Sequence, residues 1–122
     1  MNNKPSISIT LDMKNKRIRI HKFGLHLLQD PKHIQILVNP SKRKLAIKPA
    51  TKDTPQMQTI KIENKRVHPD NSIDIHSGCF CESLMKAIGL NDANYSYRLT
   101  GEHLPNENIL AFSFDAITRI EN

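Results

Sequence analysis

Apolar and polar residues alternate in short runs along most of this chain, and two stretches break the rhythm with helical spacing. Ile7, Ile9, Leu11 and Met13 alternate with Ser8, Thr10 and Asp12, the period of a half-buried strand. Lys14-Asn15-Lys16 is a polar turn, after which Arg17 to His21 reads as the returning strand of a hairpin. Phe23, Leu27 and Leu28 stand at helical spacing and predict a helix of about two turns, stopped by Asp30-Pro31. Ile34, Ile36 and Val38 then alternate, Pro40 to Arg43 turns the chain, and Leu45 and Ile47 continue on a partner strand. Thr51 to Gln56 is polar and predicts a loop. Gln58 to Ile62 predicts a further strand, and His68-Pro69-Asp70-Asn71 a turn.

The same order of elements returns in the second half. Ser72 to His76 reads as a strand and Ser77 as a helix N-cap. Phe80, Leu84, Ala87 and Ile88 form one apolar stripe, and Gly89 suits the left-handed position after a helix end. Tyr95, Tyr97 and Leu99 alternate. Thr100 to Asn108 predicts a long loop, and Leu110, Phe112 and Phe114 a closing strand, with Ile117 and Ile120 completing the apolar set. A four-residue echo, Ile18-Arg19-Ile20-His21 against Ile73-Asp74-Ile75-His76, opens the two halves with opposite charge. The pattern predicts an α+β fold of mainly antiparallel β-strands with two short helices, built from two related strand-helix-hairpin units. In this reading one unit faces a polyanion and the other makes protein contacts.

A length of 122 residues suits a single domain, residues 1–122, with a basic unit at 1–66 and an acidic unit at 67–122. No run of 18 apolar residues is present, so no membrane role is expected, and no apolar stretch follows Met1 to Pro5 as a signal peptide would require. A cytoplasmic location is the expectation. The net charge of +6 conceals a split. Residues 1–66 hold 15 lysines and arginines against four acids, a net +11, while residues 67–122 hold three against eight, a net −5. Such a division points to a basic surface that meets an anion.

Catalytic chemistry finds little support. Cys79 and Cys81 are two residues apart, poor geometry for a mutual disulfide, and reduced thiols suit a cytosolic chain. His76, Cys79 and Cys81 offer zinc-ligating atoms, with His68 or His103 as a fourth, but the spacing matches no recognised site and no metal or other cofactor is expected. A helix N-terminus would activate a thiol there, yet a dyad with His76 lacks an orienting group and an oxyanion site. The chain is therefore expected not to be an enzyme.

Arg17 to His21, the short helix through Leu27-Leu28, His33 to Asn39 and Lys44 to Pro49 together resemble the SpoVT/AbrB-type swapped-hairpin domain, with Leu45-Ala46-Ile47-Lys48-Pro49 as its closing strand. Gln29 stands where that family has glycine, and His21-Lys22 replaces its Ile-Pro. Two such units in tandem resemble the MraZ arrangement. Tyr97-Arg98-Leu99-Thr100-Gly101 is also similar to a segment of short uncharacterised bacterial proteins, a likeness that implies no function. The family resemblance implies DNA binding and transcription regulation through Arg17, Arg19, Lys22, Lys42, Arg43 and Lys44. These side chains suit the task because Lys and Arg reach phosphates and Arg reads guanine with two hydrogen bonds. The competing expectation is a protein-interaction or homo-oligomeric accessory module, a homodimer or a partner's acidic face, with no nucleic-acid role.

Overall fold

Strand alternation in the sequence becomes eight antiparallel strands joined in one curled sheet in the computed structural model, which describes residues 7–63, 65–89 and 94–120. The elements are β1 (Ile7–Asp12), β2 (Arg17–His21), α1 (Lys22–Leu27), β3 (His33–Asn39), β4 (Lys44–Pro49), β5 (Ile60–Lys61), β6 (Ser72–His76), α2 (Gly78–Ile88), β7 (Ser96–Leu104) and β8 (Ile109–Ile120). A 3-10 turn, Gln56–Gln58, precedes β5, so that strand is shorter than the polar-apolar pattern predicts. The order across the sheet is β5-β3-β4-β8-β7-β1-β2-β6. Strands from the basic and acidic halves are thus interleaved in blocks within a single sheet: β5-β3-β4, then β8-β7, then β1-β2, then β6. No helix among the described residues is long and apolar enough to cross a membrane.

One face of this sheet holds the core. Ile9, Leu11, Ile18, Ile20, Ile34, Leu45, Ile47, Leu99, Phe112 and Phe114 are buried there, with the residues between them turned outward. The two echoed strands pair with each other: Ile18 lies opposite Ile75, Ile20 opposite Ile73, and Arg19 opposite Asp74. Four turns share one geometry, in which a left-handed residue donates its N–H to the carbonyl three positions back. They are Lys16 to Met13, Arg43 to Pro40, Asn71 to His68 and Asn108 to Pro105. Asparagine takes this backbone region readily, whereas Lys16 and Arg43 hold it against their ordinary preference.

Helix α2 starts where Ser77 accepts a hydrogen bond from the Phe80 N–H and ends at Gly89, whose φ of 75° is left-handed. Its buried side chains are Cys81, Leu84 and Ile88; Ala87 is exposed, so Cys81 takes the place in the stripe that spacing had given to alanine. Helix α1 is shorter, with His21 as its cap. It is followed by Gln29 and Asp30, both with positive φ.

The loop predicted from Thr100 to Asn108 shrinks to a turn at Pro105–Asn108, because β7 runs on through Gly101. The register slips between Leu99 and Gly101, where a bulge lets the strand bend while still pairing with β8. Glycine is required there. A Cβ on Gly101 would lie 2.1 Å from the Ala111 carbonyl oxygen and 2.5 Å from the Phe112 ring. Gly101→Ala should lower stability by at least about 2 kcal/mol, read as a shifted urea midpoint. Gly78→Ala, whose Cβ would only touch the Lys16 side chain at 3.5 Å, should leave the midpoint unchanged or raise it slightly.

Candidate nucleic-acid interface

The six cations singled out by the sequence fall at three places. Arg17 and Arg19 project from the outer face of β2. Lys22 begins α1. Lys42, Arg43 and Lys44 occupy the β3–β4 turn and the start of β4. Because β2 and β4 are four positions apart in the sheet, the geometry does not bring the two groups together.

Arg17 and Arg19 are committed to carboxylates. Arg19 donates to both oxygens of Asp74, from Nε at 2.8 Å and Nη2 at 3.2 Å. Arg17 donates from Nε to Asp12 at 2.7 Å and from Nη1 to Asp74 at 3.2 Å. His68 Nε2 lies 2.7 Å from the same Asp74 Oδ2, and Asn15 donates to Asp12 from its backbone and its side-chain amide. Asp74 is almost wholly buried, at 7% exposure, so this cluster is a fixed part of the sheet. The Arg19 hydrogen bonds hold the Asp74 carboxyl down at about 2, against an opposing effect of burial. Asp12 is also lowered: burial pushes it upward, and its Asn15 and Arg17 hydrogen bonds outweigh that effect.

Arg43 is turned toward protein as well. Its Nε contacts Asp115 at 3.1 Å and its Nη1 the Ile88 carbonyl at 3.4 Å, closing the C-terminal end of α2. Lys22 is exposed and lines a cleft with Lys32 and Lys65, but also with Asp30 and Glu63. Lys42 and Lys44 remain exposed, with no ion pair among the described residues.

A coherent basic surface does exist, on the outer face of β5, β3 and β4. With Leu45 and Ile47 buried, Lys44, Ala46 and Lys48 point outward. Cross-strand register sets Asn39 beside Lys44, Gln35 beside Lys48, and His33 beside Lys61. Leu37, 42% exposed, heads a row that continues through Ala46 and Ala111 to Glu102. Residues 31–52 hold five lysines and Arg43 and no acid, so this face has no internal carboxylate to neutralise it before Glu102 at its rim. Lys48 and Lys61 were not among the six. Lys48 was legible as the outward neighbour of Ile47, whereas Lys61 joins the face only through the β3–β5 register.

The thiol hypothesis divides between two residues. Cys81 is 1% exposed on the core side of α2, and burial pushes its thiol upward, opposite to what a nucleophile needs. The Cys79 side chain lies outside the described residues. Among the described residues no group of three or more His, Cys, Asp or Glu side chains is close enough to hold a metal ion. His68 is engaged with Asp74.

No family model, curated protein or solved structure matches this chain. The site therefore rests on its own geometry.

Two outcomes follow from the buried groups. Asp74 titrates below its unfolded value of 3.8, so it contributes stability that is complete above that pH and lost as pH falls toward about 2. Asp74→Asn should cost on the order of 2 kcal/mol at neutral pH. Urea unfolding at stepped pH should show the gap to wild type closing between about pH 4 and pH 2. In a Cys79→Ser background, Cys81 should react with a disulfide reagent only upon unfolding; rapid reaction of the native protein would contradict its burial.

Proposed function

We propose that the chain is a non-enzymatic nucleic-acid-binding protein of the regulatory, DNA-binding kind, contacting phosphates with Lys42, Lys44, Lys48 and Lys61. The observation that carries this reading is the acid-free outer face of β5, β3 and β4. There cations stand in neighbouring rows with no ion pair among the described residues, as phosphate contacts require. Lys44 and Lys48, four residues along one strand, are separated by about 13 Å, enough to follow a backbone rather than grip one anion. Arg17, Arg19 and Arg43 serve the fold in this reading, and the binding surface moves from β2 to β4.

The finer architecture belongs to the same proposal: the chain is two copies of one strand-helix-hairpin unit closed around an internal two-fold axis. Several contacts support it. Around Arg19 and Asp74, each isoleucine of one echo faces the other isoleucine of its copy. Around Ala46 and Ala111, Leu45 faces Phe112 and Ile47 faces Leu110, the corresponding positions of the two closing strands. The backbone links are reciprocal as well: Lys22 N–H donates to Asn71 at 2.7 Å, and Ser77 N–H to Lys16 at 3.1 Å. The resemblance to tandem swapped-hairpin proteins gains support from Gln29, whose φ of 68° is left-handed at the position where that family has glycine. β5 departs from the symmetry. It spans two residues beside β3 and leaves β6 without a second neighbour among the described residues, whereas β1 pairs along its length with β7 and from Ile9 to Asp12 with β2.

Leu37, exposed beside Ala46 on the same face, favours the second reading, in which another copy or a protein partner covers the same surface. Fluorescence anisotropy with labelled duplex and single-stranded DNA across salt separates the two. The proposal expects a log-log salt slope of about −3 for wild type, and at least a tenfold loss with a slope shallower by about two for Lys44→Glu/Lys48→Glu. Absence of salt-dependent binding to either strand form, with a Leu37-dependent dimer in size-exclusion chromatography, would replace nucleic acid with protein as the partner.

A further inference from the structure

The outer face on the β1, β2 and β7 side carries a second feature, independent of the basic face and of any nucleic-acid role. Antiparallel register places Arg19, Thr10, Arg98 and Thr118 in one row across β2, β1, β7 and β8. Arg17, Asp12, Ser96 and Ile120 form the adjacent row. Between these rows is a cavity of about 250 Å³ lined by Thr10, Asp12, Arg17, Arg19, Ser96 and Arg98, with Asp70 and Ile120 at its walls. Three guanidinium groups, two hydroxyls and the carboxylates of Asp12 and Asp70 thus share one concave site.

Their states differ. Arg17 and Arg19 are held by Asp12 and Asp74, which fix their side chains and offset much of their charge. Asp70 is engaged by the Ser72 hydroxyl and backbone. Arg98 is exposed and has no ion pair or side-chain hydrogen bond among the described residues, so its five donors are unused. Ser96 is 5% exposed, buried yet lining the cavity, and its hydroxyl has no hydrogen-bond partner among the described residues. Neighbouring strands stand about 4.8 Å apart, so Arg98 and Arg19 flank Thr10 from the two adjacent strands and line the same cavity. A planar guanidinium with free donors, a rigid second guanidinium and flanking hydroxyls suit the oxygens of a tetrahedral oxyanion.

We infer that this cavity binds the phosphate group of a small molecule, with Arg98 as the principal ligand, Thr10 and Ser96 as hydroxyl donors, and Arg19 as a pre-positioned second cation. The size of the cavity suits a phosphate with a short organic stem better than a polymer backbone. The Asp12 and Asp74 carboxylates serve the site by holding Arg17 and Arg19 still, which lowers the ordering cost of binding.

The test is an NMR titration of the ¹⁵N-labelled full chain with inorganic phosphate and with phenyl phosphate, chloride balancing ionic strength. Saturable shifts should centre on the amides of Thr10, Ser96 and Arg98 and on the Arg98 Nε–H. Arg98→Gln should weaken binding at least tenfold while leaving the rest of the spectrum in place, because the Arg98 side chain makes no ion pair or hydrogen bond among the described residues. Arg98→Lys should recover part of that loss, and Lys48→Glu should change nothing. Tighter binding of phenyl phosphate identifies an organic monoester as the ligand, and tighter binding of inorganic phosphate identifies the free ion; either supports the site. Non-saturating shifts spread over all lysines, no shifts up to about 20 mM ligand, or equal affinity in Arg98→Gln would overturn it.

Discussion

The pairing of β2 with β6 is the constraint on which the rest depends, and Asp74 stands at its centre. One nearly buried carboxylate accepts hydrogen bonds from two arginines of β2 and lies against a histidine from the turn before β6. A carboxylate in that position is costly to bury alone and favourable only when its lone pairs are filled. It therefore fixes one register: a slip of a single residue would set isoleucines outward and leave Asp74 in the core. With β2 and β6 so placed, the N–H groups of Lys22 and Ser77 find their carbonyls across the pair, and both helices start in position.

This arrangement changes the meaning of the charge split. Three of the acids that pair with cations of the basic half, Asp74, Glu82 and Asp115, come from the acidic half and reach Arg17, Arg19, Lys16 and Arg43. The asymmetry between residues 1–66 and 67–122 is in good part the attraction of one half for the other. Exposed pairs such as Lys16–Glu82 and Arg43–Asp115 contribute little energy, whereas the Asp74 cluster is shielded enough to matter. Lys42, Lys44, Lys48 and Lys61 on one face, and Arg98 on the other side, take no part in these pairs.

Much of the fold was legible because a period of two is hard to mistake when isoleucine and leucine carry it. Most strands, the two helices and the left-handed Gly89 lie close to where the pattern puts them. The misreadings have physical causes. Gly101 read as a loop glycine, but it is in a strand because the Ala111 carbonyl crosses where a side chain would be. The sites were less legible than the fold. Alternation says that Arg19 faces outward, and it cannot say that Asp74 is there to meet it, since that depends on which strand pairs with β2 and in what register. The same limit hid Arg98, whose neighbours Thr10 and Arg19 are remote in sequence and adjacent only in the sheet.

The segment between β4 and β6, residues 50 to 71, carries only the short β5 and the 3-10 turn among its described residues, yet it is the covalent link between the halves. Three strand pairings, β2 with β6, β4 with β8 and β1 with β7, all cross from one half to the other. The segment therefore acts as a tether that holds the second half at an effective concentration on the order of millimolar beside the first. Its length decides between a closed monomer and an exchanged pair. Cut short, it would leave every one of those contacts intact in kind but available only from a neighbouring chain.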